Sequence, residues 1–130
     1  MRRVTGIGGV FIRAKNPEVL AGWYSRHLGL QLEPWGGSVL RWSDPERPEP
    51  DGGVTVWSMF PQETDYFGRP EQQVMINYRV EDLEALLVAL REEGCLVDEK
   101  VDVSELGKFG WVTDPEGNRV ELWQPPGRRL

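Results

Sequence analysis

The sequence predicts an α+β fold made of two βαβββ modules in tandem. Three observations predict it: a strand-then-helix pattern that occurs twice, similar strand tails behind each copy, and one polar linker between them. The expected architecture is a mixed sheet whose helices cover one face, leaving the other face free to curve around something.

The first copy opens with IGGVFIR, residues 7–13, whose alternation puts Val10 and Ile12 on one face and Gly9, Phe11 and Arg13 on the other. Asn16-Pro17 reads as a helix N-cap with proline in the first turn. Leu20, Trp23, Tyr24 and Leu28 then recur at helical spacing, and Gly29 ends the helix. The second copy opens with VMINYRV, residues 74–80, where Val74, Ile76, Tyr78 and Val80 alternate with Met75, Asn77 and Arg79. Asp82 caps a helix that turns Leu83, Leu86, Leu87 and Leu90 inward, and Gly94 closes it.

The tails agree as well. LRWSDP at 40–45 resembles GWVTDP at 110–115, and VWSMFP at 56–61 resembles VELWQP at 120–125. The first tail carries an insertion in ERPEPDGG, residues 46–53, expected as a longer hairpin loop. In the second, Asp114-Pro115-Glu116-Gly117-Asn118 has the residues of a tight turn. The chain therefore reads as one domain, 1–130, with module 1 at about 5–61 and module 2 at about 74–125. The polar segment 62–73 joins them and carries Tyr66 and Phe67 around a Gly-Arg-Pro turn, fit either to fold over the free face of the sheet or to pack against a partner.

Composition narrows the function. A chain of 130 residues can bury about two-thirds of its unfolded surface without a disulfide. Its one cysteine, Cys95, has no partner in the chain, which argues for a reducing cytoplasm. No stretch reaches the roughly 18 apolar residues of a membrane helix. Lys plus Arg number 15 against 21 Asp plus Glu, a formal net charge of -6, so a phosphate backbone is repelled and nucleic acid is not the expected partner. Six tryptophans exceed what packing needs in a core of this size, and some are expected to line a cavity or an interface.

NPEVLAGWYSRHLGLQL, VMINYRVEDLEALLVALREEG and WVTDPEGNRVELWQP resemble, respectively, the first helix, the second strand and helix, and the C-terminal hairpin of the vicinal oxygen chelate superfamily. That superfamily takes in glyoxalase I, bleomycin-resistance proteins and extradiol dioxygenases. The resemblance implies paired modules forming a U-shaped, partly closed sheet, usually in a homodimer. In metal-dependent members each module supplies one ligand from its first strand and one from its last. Those positions fall on Gly9, Trp57, Met75 and Glu121 in this sequence. Glycine has no side chain, tryptophan is no ligand, and a thioether is a poor donor for the ions such sites use. No metal is therefore expected, and a single carboxylate would leave a dication mostly to water.

Alternation assigns the concave face Phe11, Arg13, Trp57, Met75, Asn77, Glu121 and Trp123, an aromatic and thioether-rich set with a few polar groups. Trp57 and Trp123 are placed to stack on a ring, and Asn77 and Glu121 to orient a ligand by hydrogen bonds. The function expected is metal-independent binding of a small aromatic or amphiphilic molecule. One alternative is a glyoxalase-like lyase or isomerase with Glu121 as its acid or base. Another is a dimeric interaction module whose pocket has collapsed. Glu121 itself has three readings: a ligand-binding or proton-transfer group, half of an ion pair with Arg13, Arg79 or Arg119, or a charge at a solvated position.

Overall fold

The computed structural model describes residues 2–43 and 52–127. In chain order the elements are β1 (Val4–Ala14), α1 (Pro17–Leu28), β2 (Ser38–Arg41), β3 (Val54–Pro61), β4 (Val74–Val80), α2 (Leu83–Glu92), β5 (Leu96–Val97), β6 (Asp102–Ser104), β7 (Gly107–Thr113) and β8 (Arg119–Gln124). Among the described residues, eight strands in a mixed sheet and two helices make this an α+β fold, as the sequence predicts. The first copy shows two strands behind its helix among the described residues rather than three; the expected hairpin insertion lies almost wholly outside them.

Both helices start and stop where their caps dictate. Asn16 Oδ1 accepts the Val19 backbone N–H at 3.2 Å, and Asp82 Oδ1 accepts that of Ala85 at the same distance. Each bond satisfies one of the orphan donors of a first turn. Gly29, at φ 72°, takes the left-handed conformation that lets its N–H reach the Ser25 carbonyl and turns the chain out of α1.

The chain divides into two compact units, Gly8–Val74 and Met1–Ile7 with Met75–Leu130. These boundaries differ from the sequence modules at both ends. The 62–73 segment belongs to the first unit because β1 holds it: the Arg13 N–H donates to the Gln73 carbonyl. Chain residues before Gly8 belong to the second unit because Thr5 and Arg3 bond Arg79 and Glu93 there.

In the second unit β8 lies between β4, parallel to it, and β7, antiparallel to it, while β5 and β6 both pair with β7. Leu83, Leu86 and Leu87 of α2 pack on Val80 and Leu122, with Tyr78, Val112 and Val120 around them. Each such buried aliphatic side chain contributes about 1.5–3 kcal/mol, so this face of the sheet is fully committed to the helix. Gly110 makes the close approach possible, since a Cβ there would stand 3.2 Å from Leu87 Cδ1. A tight turn joins β7 to β8: Asp114 accepts the N–H groups of Glu116 and Asn118 through Oδ1 and that of Gly117 through its carbonyl.

In the first unit β3 pairs with β1 in parallel and with β2 antiparallel. α1 is seated more thinly than α2, with only Ala21 fully buried. Leu20, Ala21 and Tyr24 share one side of the helix, whereas Val19, Trp23 and Arg26 project from the next. Trp23 stays 47% exposed and Leu28 62% exposed, although both belong to the apolar spacing read from the sequence. No helix among the described residues is long and apolar enough to cross a membrane.

Candidate functional site

The face of the second unit turned away from α2 carries the polar and aromatic residues that alternation assigns to it. Leu122 and Val120 pack on the helix, so Glu121 between them points to the opposite side. Asn77 is the register partner of Glu121 on β4, and Trp111 is its partner on β7. The three side chains thus stand abreast on neighbouring strands, and Met75 lies two residues along from Asn77 on the same side. All four are closed off from solvent: Met75 is 0% exposed, Glu121 and Trp111 2%, and Asn77 3%.

Burial of polar groups is expensive unless they are bonded, and Asn77 departs from that rule. Its side-chain oxygen is buried with no hydrogen-bond donor among the described residues. An acceptor left so costs about 1–3 kcal/mol, which natural proteins rarely tolerate away from functional positions.

Charged groups frame this face. The Arg119 guanidinium lies 5.2 Å from the centroid of the Trp111 ring, and Lys100 Nζ lies 5.9 Å from it. Arg119 Nη1 donates to Asp98 Oδ2 at 3.0 Å. That bond, more than the Lys100 backbone N–H that also reaches Asp98, holds the Asp98 carboxyl below the usual carboxylate range. Trp123 is fixed at two points: its Nε1 donates to the Leu106 carbonyl at 2.8 Å, and its ring stacks on Phe109 at 6.3 Å. Arg79 Nε donates to Thr5 Oγ1 at 2.8 Å.

The first unit corrects one of the sequence expectations. Phe11 and Arg13 lie together, on the side of β1 that the alternation predicts, but Trp57 does not join them. Phe11 pairs in register with Ser58 and Arg13 with Phe60, while Trp57 pairs with Val10. Trp57 therefore faces α1, where its ring meets Tyr24 at 5.0 Å between centroids and it is 7% exposed. Because side chains alternate, an error of one residue in the repeat offset exchanges the two faces of a strand. The counterpart of Glu121 in β3 is Ser58.

Arg13 is occupied by the 62–73 segment. Its Nε donates to the Gln72 carbonyl at 2.9 Å, Nη2 to Arg69 at 3.0 Å, and Nη1 to the carbonyls of Gln62 and Thr64. Phe67 beneath Arg13 is fully buried, and Phe60 stacks on Tyr66, so the segment is packed down on its own unit.

The family positions for metal ligands thus hold Gly9, Ser58, Met75 and Glu121, with one carboxylate, one neutral hydroxyl and one thioether. Among the described residues, no group of three or more His, Cys, Asp or Glu is arranged to hold a metal ion. This donor set does not fit a hard or borderline divalent cation.

Trp111 is the member of this face that the sequence reading omits. Its signal was present in the turn itself: a tight hairpin across 114–118 pairs Trp111 with Glu121.

A family model described as a glyoxalase-like domain matches residues 9–123. The chain belongs to the glyoxalase-like domain family. Solved structures agree on the fold. Methylmalonyl-CoA epimerase from Mycobacterium tuberculosis is 20% identical, with a TM-score of 0.65 over 95% of this chain and 90% of that one. A variant of the Streptomyces coelicolor methylmalonyl-CoA epimerase, in complex with 2-nitronate-propionyl-CoA, is 15% identical, with a TM-score of 0.69 over 98% and 99%. A glyoxalase/bleomycin resistance protein/dioxygenase superfamily member from Vibrio splendidus 12B01 is 14% identical, with a TM-score of 0.57 over 91% and 97%. No curated protein matches the sequence. Membership of the vicinal oxygen chelate superfamily follows from the family match and these neighbours together.

Proposed function

We propose that this glyoxalase-like protein binds a small aromatic or amphiphilic molecule without a metal ion, on the face that holds Asn77, Glu121 and Trp111. The observation that carries the reading is the buried Asn77 oxygen with no donor. A ligand N–H or O–H supplies the missing bond, Trp111 and Met75 supply apolar and polarisable contact, and Glu121 supplies a second acceptor. The donor set at the family's ligand positions supports the metal-independent part of the proposal.

The test is thermal unfolding against a panel of small aromatic and amphiphilic compounds. A ligand specific to the folded state raises the melting temperature by mass action, and Asn77→Leu abolishes the rise. A panel without effect favours a collapsed face, and a stoichiometric divalent ion that co-purifies and is lost in Glu121→Gln overturns the metal-independent reading.

A second reading is an isomerase, favoured by the epimerases among the structural neighbours. A buried carboxylate that takes a proton from the carbon beside a carbonyl isomerises its substrate with no redox partner when the proton is returned to the opposite face of the enolate or to a neighbouring atom. Glu121 is the group for that role, and Asn77 Nδ2 is a donor for the enolate oxygen. Deuterium uptake from D2O at such a carbon, followed by proton NMR, reads this activity. Glu121→Gln abolishes uptake if Glu121 carries the proton, and unchanged uptake removes it from the mechanism.

A further inference from the structure

The first unit has a largely open surface groove of about 620 Å³ beside the N-terminal half of α1, lined by Lys15, Asn16, Val19, Trp23, Tyr24 and Gln62 among others. We propose that this groove is a binding site for a small aromatic carboxylate, separate from the Asn77 and Glu121 face and independent of the function proposed there.

Its volume falls in the range of small-ligand sites, about 300–1,000 Å³. Its wall is aromatic and left in contact with solvent. Trp23 is 47% exposed in the middle of α1 and Val19 66% exposed in its first turn, although the other side of the helix has a sheet to bury against. Trp23 is also held in place, with the Tyr24 ring edge-on at 5.2 Å and the His27 ring at 5.1 Å. A propped, half-exposed indole offers a flat surface to a ring at little cost in side-chain entropy.

The polar groups set the charge of the ligand. Arg13 contributes to the lining, but its guanidinium is spent on four backbone carbonyls. Lys15 is exposed and takes part in no ion pair or hydrogen bond among the described residues, so it is the cation available to a ligand. Asn16 uses Oδ1 to cap α1, which leaves its Nδ2 as a donor, and the Gln62 side-chain amide is another. One ammonium flanked by neutral donors suits a singly charged carboxylate attached to a ring that lies on Trp23. Glu18, the acidic residue of the first helical turn, is not among the lining residues.

Calorimetric titration with 2-naphthoate and its neutral isostere 2-naphthamide tests the proposal on the wild type and on Lys15→Gln, Trp23→Ala and Asn77→Leu. Lys15 and Trp23 are exposed, and thermal unfolding verifies that each variant is folded. Naphthoate binds the wild type about fivefold more tightly than the amide, the difference an exposed ion pair supplies. Lys15→Gln lowers naphthoate affinity to that of the amide, and Trp23→Ala abolishes both. Absence of naphthoate binding at millimolar concentration overturns the site, as does an affinity indifferent to Lys15→Gln. Binding lost in Asn77→Leu but kept in Trp23→Ala assigns the probe to the other face. If Trp23→Ala instead dissociates a dimer in sedimentation and leaves naphthoate affinity unchanged, the groove is a contact between copies of this chain.

Discussion

The Arg13 guanidinium lies over the ring of Phe67, 5.1 Å from its centroid, while its nitrogens donate to the carbonyls of Gln62, Thr64, Arg69 and Gln72. One cation from β1 thus supports the whole turn of the 62–73 segment, and charge-assisted bonds of this kind are worth about 1.5–3 kcal/mol each. Replacing Arg13 with Met keeps the stem and leaves the buried Gln72 carbonyl and three part-buried ones without their donor. Urea unfolding is expected to show a loss of about 3 kcal/mol or more, with Arg13→Lys intermediate. Chymotrypsin should also cut faster at Tyr66 and Phe67. A midpoint equal to the wild type's would mean that the segment is held by its aromatic contacts alone.

Asn77 shows the opposite balance. Since its buried oxygen has no donor, Asn77→Leu exchanges an unsatisfied acceptor for an apolar group of similar size. The ligand-free variant is expected to be as stable as the wild type or more so, by up to about 2 kcal/mol, while losing any ligand-induced stabilisation. Denaturant midpoints with and without ligand separate the two effects. A variant that is less stable without ligand would show that the Asn77 amide already contributes to the fold.

Much of this arrangement could be read from local signals. The Asn16 and Asp82 caps, the glycines that end both helices, and the turn across 114–118 depend on near neighbours in the chain, and each stands where its residue type predicts. Glu121 was assigned its face by Val120 and Leu122, which flank it and pack on α2. Trp57 was misplaced because its face rested on aligning Pro61 with Pro125. Pro61 is the last residue of β3, whereas Pro125 follows the end of β8, so the two strands match one residue away from that alignment. Nothing local corrects such a slip; the contact with Tyr24 does, and it is tertiary. The exposed side of α1 was equally hidden, because apolar spacing marks a stripe without saying how much of it the sheet covers.

Asp98 gives the fold a measurable acid limb. Its folded pKa is lowered, chiefly by the bond from Arg119, so its contribution is present above the unfolded value of about 3.9 and is lost as pH falls below it. Both side chains are partly exposed, 24% for Arg119 and 35% for Asp98, and screening limits the effect to about 1 kcal/mol or less. Asp98→Asn should therefore be slightly less stable than the wild type at pH 7, with the gap closing as pH falls through the lowered folded pKa of Asp98. Urea unfolding across an acid pH series checks this. A gap that does not change with pH would assign the loss to packing and not to the carboxylate.

Gly107 combines two constraints at the start of β7. Its φ of 118° lies where other residues are strained, and a Cβ there would stand 2.2 Å from the Gln124 carbonyl oxygen and 2.9 Å from Trp123 Nε1. The carbonyl belongs to the strand paired with β7, so it cannot yield without moving that ladder. Gly107→Ala is expected to cost about 2–4 kcal/mol, and to change the near-ultraviolet circular dichroism as Trp123 shifts from Leu106 and Phe109. Gly94→Ala supplies the comparison. Its φ of 85° is also positive, but no atom outside its chain neighbours lies within 4 Å of the added carbon, so it bears backbone strain alone, about 1 kcal/mol. Equal losses in the two variants would show that the contact with β8 adds nothing to the cost at Gly107.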